Sequence, residues 1–425
     1  MPDGRPALLS LDDALARLVA GVAAGRIADI EAVSTFDALG RVLAADVVSA
    51  IDVPPADNSS MDGYALRSSD AAQAGTVLPV SQRIAAGSVG QPLAAGTAAR
   101  IFTGAQVPAG ADAIVMQEQC VAVDGGVRID IVPQPGSWIR RRGEDVRRGA
   151  IVLARGSRLT PQALGLAAGV GAATLTVCRR PRVALFSTGD ELVMPGTIAP
   201  AALPPGAIYN SNRYTLRGLL QAAGCDVSDL GIVPDRLDAT CDALRRAAAA
   251  HDLIITSGGV SVGEEDHIRP AVAAEGRIEL WQVAIKPGKP LAFGAVRRTA
   301  AQGALSSEGI GEALFMGLPG NPVSSFVTFL LAVAPVLRAM QGLPAALPEA
   351  LPLPAHFDWP RPDKRREFLR VRRNAAGGLD LYPNQSSGVL TSAVWADGLV
   401  DNPSGQVVRR GDTVRLLLLS SLIGA

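Results

Sequence analysis

Leu253-Ile254-Ile255-Thr256 runs without a break into Ser257-Gly258-Gly259-Val260-Ser261-Val262-Gly263. Four apolar or β-branched residues predict a strand, and the glycines behind them predict the loop that ends it. The pattern recurs twice in the neighbouring chain. Residues 183–186 lead into Ser187-Thr188-Gly189-Asp190-Glu191, and residues 314–316 lead into Gly317-Leu318-Pro319-Gly320-Asn321-Pro322-Val323-Ser324. Further strand-like runs lie at 227–233, 280–285 and 291–293, and helical patterns at 213–223, 239–250 and 324–341. Strands that alternate with helices predict a parallel sheet covered on both faces, a doubly wound α/β domain.

The flanking chain has a different texture. Residues 10–25 read as a helix with Ser10 at its cap, Asp13 three residues on, and one apolar stripe from Leu11 through Leu15, Leu18, Val19 and Val22. Residues 57–138 break into short apolar runs at 77–80, 98–102, 113–116 and 127–132, which predicts a small β-rich module. An arginine cluster, a strand at 151–153 and a helix from about Pro161 follow. A proline-rich stretch at 343–354 reads as a linker. Strand signals at 367–371, 379–382, 388–394 and 414–418 then predict a compact C-terminal β-barrel or sandwich. Residues 299–311, rich in Ala, Ser and Gly, read as a flexible loop.

Composition narrows the class. The 425 residues are 48% hydrophobic, with 40 basic residues against 40 acidic ones. An ordinary apolar fraction excludes disorder as the main state. The charge balance argues against a general nucleic-acid or membrane-surface binder, which needs a concentrated cationic face. The four cysteines form no C-x-x-C pair, so a zinc ribbon is excluded and a disulfide framework is not expected. No basic-then-apolar start suggests a signal peptide, and the apolar stretches 326–337 and 416–423 fall short of the ~20 residues of a spanning helix. A cytoplasmic protein is expected.

In an open parallel sheet, ligands bind beyond the carboxyl ends of the strands. The three glycine loops all leave such ends. Glycine lets backbone N–H groups approach an anion, and a helix start adds a favourable dipole. Singly, each loop is equally a tight strand–helix connection; together they predict a phosphate or oxyanion pocket. Lys286-Pro287-Gly288-Lys289-Pro290 lies between two strand-like runs and offers two ammonium groups on a stiff path, or else an exposed hairpin with solvated lysines. Asp190, Glu191, Asp235 and Asp266 follow strand-like runs in the same domain and would suit Mg²⁺ if grouped at one rim; capping or surface roles are equally open.

Gly259-Val260-Ser261-Val262-Gly263 also satisfies G-x-S-x-G, the elbow of serine hydrolases. Its acidic successors Glu264, Glu265 and Asp266 suit an oxyanion hole poorly, and the only later histidines are His267 and His356. In the β module, residues 57–64 and the turn around Thr103, Gly104, Pro108 and Gly110 are dense in turn formers. Arg140, Arg141, Arg142, Arg147 and Arg148 read either as a solvated face or as a docking surface for a small polyanion.

The segments at 57–65 (DNSSMDGYA), 101–112 (IFTGAQVPAGAD), 139–145 (IRRRGED), 184–192 (ALFSTGDEL), 257–266 (SGGVSVGEED), 285–290 (IKPGKP) and 317–324 (GLPGNPVS) resemble the MoeA family of molybdopterin molybdenumtransferases, which is similar to the E domain of gephyrin. The likeness runs through nearly the whole chain in order. It implies four domains: 1–56 with 139–180, an inserted β-rich domain at 57–138, an α/β molybdopterin-binding domain at 181–345, and a β-barrel-like domain at 346–425. It implies a homodimer that takes adenylylated molybdopterin, releases AMP and inserts molybdate with Mg²⁺. A molybdopterin adenylyltransferase would act upstream and molybdoenzyme apoproteins downstream.

By motif, Asp62, Thr103, Asp145, Glu191, Asp235 and Asp266 match catalytic positions, the last three also as metal ligands. Ser257, Gly258, Gly259 and Ser261, with Lys286 and Lys289, match substrate-binding positions, as do Pro319, Gly320, Pro322 and Ser324. The turn Ser386-Ser387-Gly388 resembles a family turn only loosely. Ser60 stands where alanine is more usual, and the 299–311 stretch is longer than usual. A retained fold that binds the pterin as a scaffold without catalysis is the alternative; the full acidic set argues against it.

Overall fold

Alternate residues of the strand Arg182–Thr188 enter different hydrophobic cores: Val183 and Leu185 one, Ala184 and Phe186 the other. Side chains alternate across a strand, so a strand apolar at every position must be covered on both faces. The computed structural model, which describes residues 8–260, 267–298 and 311–424, shows what covers them. Helices Leu11–Gly21 and Ser211–Ala222, with the long helix Pro322–Met340, pack into the first core. Leu237–Ala250 and Ile268–Glu275 pack into the second. The domain is doubly wound, as expected.

The sheet has the order Asp226–Val233, Arg182–Thr188, Leu253–Ser257, Glu312–Leu318, Pro290–Arg297, Gly276–Gln282. The first four strands are parallel. Pro290–Arg297 pairs antiparallel with Glu312–Leu318, and Gly276–Gln282 antiparallel with Pro290–Arg297, an addition that the strand-like runs alone did not reveal. Arg298 N–H donates to the Gly311 carbonyl at 2.9 Å and closes the hairpin between them. Residues 299–310, within the expected flexible loop, lie outside the described residues.

The helix Leu11–Gly21 begins as its sequence predicts, with the Ser10 hydroxyl accepting from Asp13 N–H at 3.0 Å. Pro322–Met340 carries a proline in its body and still runs 19 residues. A wide π turn, Phe329–Val333, immediately precedes Pro335 and re-spaces the backbone where the proline has no N–H to give. Among the described residues, this is the one helix long and apolar enough to cross a membrane, and 89% of that apolar window is buried inside the protein.

The C-terminal strands form a second sheet: Ile285–Lys286, Arg366–Arg373, Gly398–Asn402, Thr413–Leu418 and Leu351–Pro354 in that order, with Leu379–Leu381 beside Arg366–Arg373. The strand expected at 388–394 is instead a turn and the helix Leu390–Trp395. Its apolar residues Val389, Leu390, Ala393 and Val394 recur at helical rather than alternating spacing. Gly398–Asn402, absent from the expected strands, is a fully buried strand in which Asp401 pairs with Arg366 at 2.5 Å.

These elements belong to one unit, Met1–Glu31 with Cys178–Ala425; Ala32–Val177 forms the other. The second unit holds a six-stranded sheet in the order Ala113–Met116, Gly63–Leu66, Ala98–Ile101, Thr76–Ile84, Gly126–Ile129, Cys120–Val123. It also holds the helix Pro161–Gly169, capped by Thr160 with Pro161 in its first turn.

Candidate active site

Ser187, Ser257 and Leu318 are register partners on three neighbouring parallel strands. The three glycine loops therefore leave the sheet side by side, and they line one cavity of about 600 Å³. The middle loop needs its glycines. Gly258 and Gly259 have φ of +90° and +64°, and a Cβ on Gly259 would lie 2.5 Å from Ile268 Cγ1. Gly258 N–H donates to the Leu318 carbonyl at 3.1 Å, and the Ser187 and Ser257 hydroxyls approach to 3.3 Å. Asn212 fixes the third loop by donating from Nδ2 to the Gly320 carbonyl at 2.7 Å.

Of the residues singled out in the sequence, Ser257, Gly258 and Gly259 line this cavity, as do Pro319, Gly320, Pro322 and Ser324. So do the carboxylate residues Glu191 and Asp235. Glu191 folds back over Gly189, where a Cβ would meet Oε2 at 2.5 Å, and Asp190 Oδ1 accepts from Asp235 N–H at 3.4 Å. Ser261 and Asp266 lie outside the described residues. Among the described residues, no cluster of three or more His, Cys, Asp or Glu is placed to hold a metal. Two carboxylates on an oxygen-lined wall match the habit of Mg²⁺, which takes one or two carboxylates and completes its shell from water and substrate phosphate.

The sequence reading missed one stretch of the wall, residues 208–212. Asn210 caps the helix Ser211–Ala222 through Oδ1, and its buried Nδ2 has no hydrogen-bond partner. Asn-Ser-Asn ahead of a helical pattern was the available signal.

Lys286 and Lys289 do not line the cavity; Pro290 does. Their loop packs against the start of the long helix, since a Cβ on Gly288 would lie 2.5 Å from Thr328 Oγ1. Lys286 Nζ points to the C-terminal sheet, 3.2 Å from Glu367 Oε1 and 3.4 Å from Asp363 Oδ2. Hydrogen bonds from Arg365 hold the Asp363 carboxyl well below the usual range. The turn Ser386-Ser387-Gly388 also reaches the helix start, where Ser387 C=O accepts from Val323 N–H at 2.9 Å.

In the other unit, Asp62 Oδ1 accepts from both Thr103 N–H and Thr103 Oγ1, each at 2.8 Å. These bonds hold the Asp62 carboxyl below its ordinary value, the backbone N–H contributing most. Thr103→Val is expected to move the Asp62 titration upward, read from its ¹³Cγ shift, while the remaining backbone bond keeps it short of the free value. An unmoved titration would remove Thr103 Oγ1 as a cause. Asp145 is exposed and tied through its N–H to the Val53 carbonyl at 3.1 Å. The arginine cluster is partly neutralised: Arg141 pairs with Asp57 at 2.7 Å and Arg142 with Asp52 at 2.6 Å.

The hydrolase alternative gains no histidine. No histidine lines the cavity, and His356 is engaged in the C-terminal region, its Nδ1 3.0 Å from Asn374 Nδ2.

Family models cover the chain in three blocks. "MoeA N-terminal region (domain I and II)" matches residues 9–171, "Probable molybdopterin binding domain" 184–339, and "MoeA C-terminal region (domain IV)" 352–419. A curated relative, the molybdopterin molybdenumtransferase of Haemophilus influenzae, is 42% identical over 307 residues, 72% of each chain. The chain belongs to the MoeA family. A MoeA-family relative from Nostoc, also named molybdopterin molybdenumtransferase, is 34% identical over 92% of this chain and 89% of its own. The crystal structure of the molybdopterin biosynthesis moeA protein from Pyrococcus horikoshii superposes with a TM-score of 0.80 at 27% identity, covering 97% of this chain and all of that one. The cavity lies wholly within the segment matched as a molybdopterin-binding domain.

Proposed function

We propose that the chain is a transferase of molybdenum cofactor biosynthesis that inserts molybdate into adenylylated molybdopterin and releases AMP, giving molybdenum-molybdopterin. The observation that carries this is that three glycine loops wall one shared cavity, with Glu191 and Asp235 among its lining residues. Both halves of the reaction concentrate oxyanions, in the phosphoanhydride that breaks and in the molybdate that enters. Strand-end loops and a helix start favour such charge, and Lys286 and Lys289 stand on a neighbouring loop to receive an oxyanion.

Glu191 and Asp235, with Asp266, would hold Mg²⁺. When bound, the ion neutralises developing negative charge on phosphoryl oxygens. Asn212 keeps the Pro319-Gly320 turn in place, and Ser257, whose hydroxyl meets that of buried Ser187, lines the cavity. Asp62, Thr103 and Asp145 complete the set from the N-terminal domains of a second subunit in a homodimer. The four-domain division at 1–56 with 139–180, 57–138, 181–345 and 346–425 belongs to the same reading. So does a place between a molybdopterin adenylyltransferase and molybdoenzyme apoproteins.

The test is to incubate the purified protein with adenylylated molybdopterin, molybdate and Mg²⁺. Molybdate-dependent AMP release, together with activation of a molybdenum apo-enzyme, is expected. Tight pterin binding without AMP release would overturn the catalytic reading and leave a scaffold.

A further inference from the structure

We propose that Glu367, in the C-terminal sheet, is a positioning residue that fixes the Lys286 ammonium for an oxyanion of the substrate. This rests on Lys286 being an oxyanion-binding lysine, as argued above.

Glu367 has 0% exposure, and its register partner on the adjacent parallel strand is Lys286. A carboxylate so deep in a sheet is costly unless both oxygens are matched. Oε2 accepts from Trp359 Nε1 at 2.7 Å, with Asn402 Nδ2 at 3.5 Å. Oε1 accepts no hydrogen bond, and Lys286 Nζ stands 3.2 Å from it. The lysine is therefore what balances that oxygen.

Asp363, the other acid beside Lys286, is differently committed. Its Oδ1 accepts from Arg365 N–H and Nε at 3.0 and 2.9 Å, and its Oδ2 from Nη2 at 2.9 Å. Glu367 is thus the carboxylate that depends on Lys286, and Lys286 the cation that depends on Glu367. The Lys286 side chain keeps 37% exposure, and an ammonium has three donors. With two acids beside it, the half-exposed ammonium keeps a donor to spare, on a loop braced against the long helix by Gly288 and reaching the cavity at Pro290. An apolar side chain of similar size would be cheaper to bury than a charged one. A buried glutamate aimed at a half-exposed lysine makes sense as an anchor, which gives the C-terminal sheet a part in the reaction.

Glu367→Gln keeps the shape and the Trp359 acceptor and removes the charge. In steady-state AMP release by the full-length protein, KM for molybdate or for adenylylated molybdopterin is expected to rise about tenfold with kcat within about twofold, the pattern of lost binding rather than lost chemistry. Which of the two KM values moves tells whether Lys286 meets the metal oxyanion or the substrate phosphate. Glu367→Asp should recover part of the change. Trp359→Phe, which frees Oε2 without touching the charge, should shift the same KM by a smaller factor. A fall in kcat with both KM values unchanged would overturn the proposal, since it reports only a smaller folded fraction. Lys286→Ala separates the two layers. Parental KM values in that variant would remove the oxyanion reading itself, whereas a raised KM there with unchanged values in Glu367→Gln would overturn the positioning role alone.

Discussion

Asp235→Asn is expected to lower the rate of molybdate-dependent AMP release by about 10²–10³-fold, the scale on which a lost electrostatic partner acts in a preorganised site. Asp235 follows the strand Asp226–Val233 and lines the same cavity as Glu191. Asparagine keeps the size, and the backbone N–H that meets Asp190 is untouched. On the proposed reading, what is lost is the negative charge that would hold Mg²⁺. Glu191→Gln is expected to act in the same direction, and the double variant to fall little further, because groups that serve one ion are not additive. Asp266→Asn, on the same reasoning, should abolish product formation. Raised Mg²⁺ should restore part of the rate to Asp235→Asn. A parental rate in that variant at low Mg²⁺ would take Asp235 out of the reaction.

The largest expected loss of stability is that of Arg179→Ala, about 3 kcal/mol, since it strands a largely buried carboxylate. Arg179 grips Asp252 with two hydrogen bonds of 2.9 and 3.1 Å and Asp29 with a third of 2.9 Å. Burial pushes the Asp252 carboxyl up, but the Arg179 hydrogen bonds, the Arg182 N–H and the nearby guanidinium charges pull it below its ordinary value. A depressed carboxylate stabilises the fold above its unfolded pKa, and that contribution disappears as pH falls through the folded value. Without Arg179, burial is opposed only by the Arg182 N–H and the Arg298 charge, so the Asp252 carboxyl moves upward. The variant's deficit should therefore be full near pH 7, worth about 6–10 °C of melting temperature, and shrink as pH falls below the ordinary carboxylate range, where the parental Asp252 protonates. A deficit that stays constant with pH would mean that the pair is not its source.

The α/β core and its three loops were legible because their signals are local. A run such as 253–256 has no way to be half-exposed, and a Ser-Gly-Gly turn behind it ends the strand wherever it lies. That the loops share a wall followed from the parallel order, which puts all three strand ends on one side. Other features depend on partners far along the chain. Whether Lys286 faces solvent or acid is decided by Glu367 and Asp363, some eighty residues later, and no spacing around KPGKP announces them. Asp401 and Asn402 look like turn residues until Arg366 and Glu367 are beside them, when they become the inside of a strand. Residues 388–394 read as a strand, but their apolar positions follow a helical period. The Asp62–Thr103 pair was found only through the family resemblance; as residues, both read as ordinary turn formers.

The hairpin between Pro290–Arg297 and Glu312–Leu318 has a practical consequence. Its closing bond, Arg298 to Gly311, lies at the start of Glu312–Leu318, whereas the cavity lies beyond the end of that strand. The full length of a strand thus separates the cavity from the Arg298–Gly311 bond. A fluorescent reporter or affinity handle inserted between residues 298 and 311 would be anchored at Arg298 and Gly311, a strand's length from the cavity. Such a tagged enzyme should turn over at the parental rate, offering a way to follow cofactor delivery without disturbing the pocket.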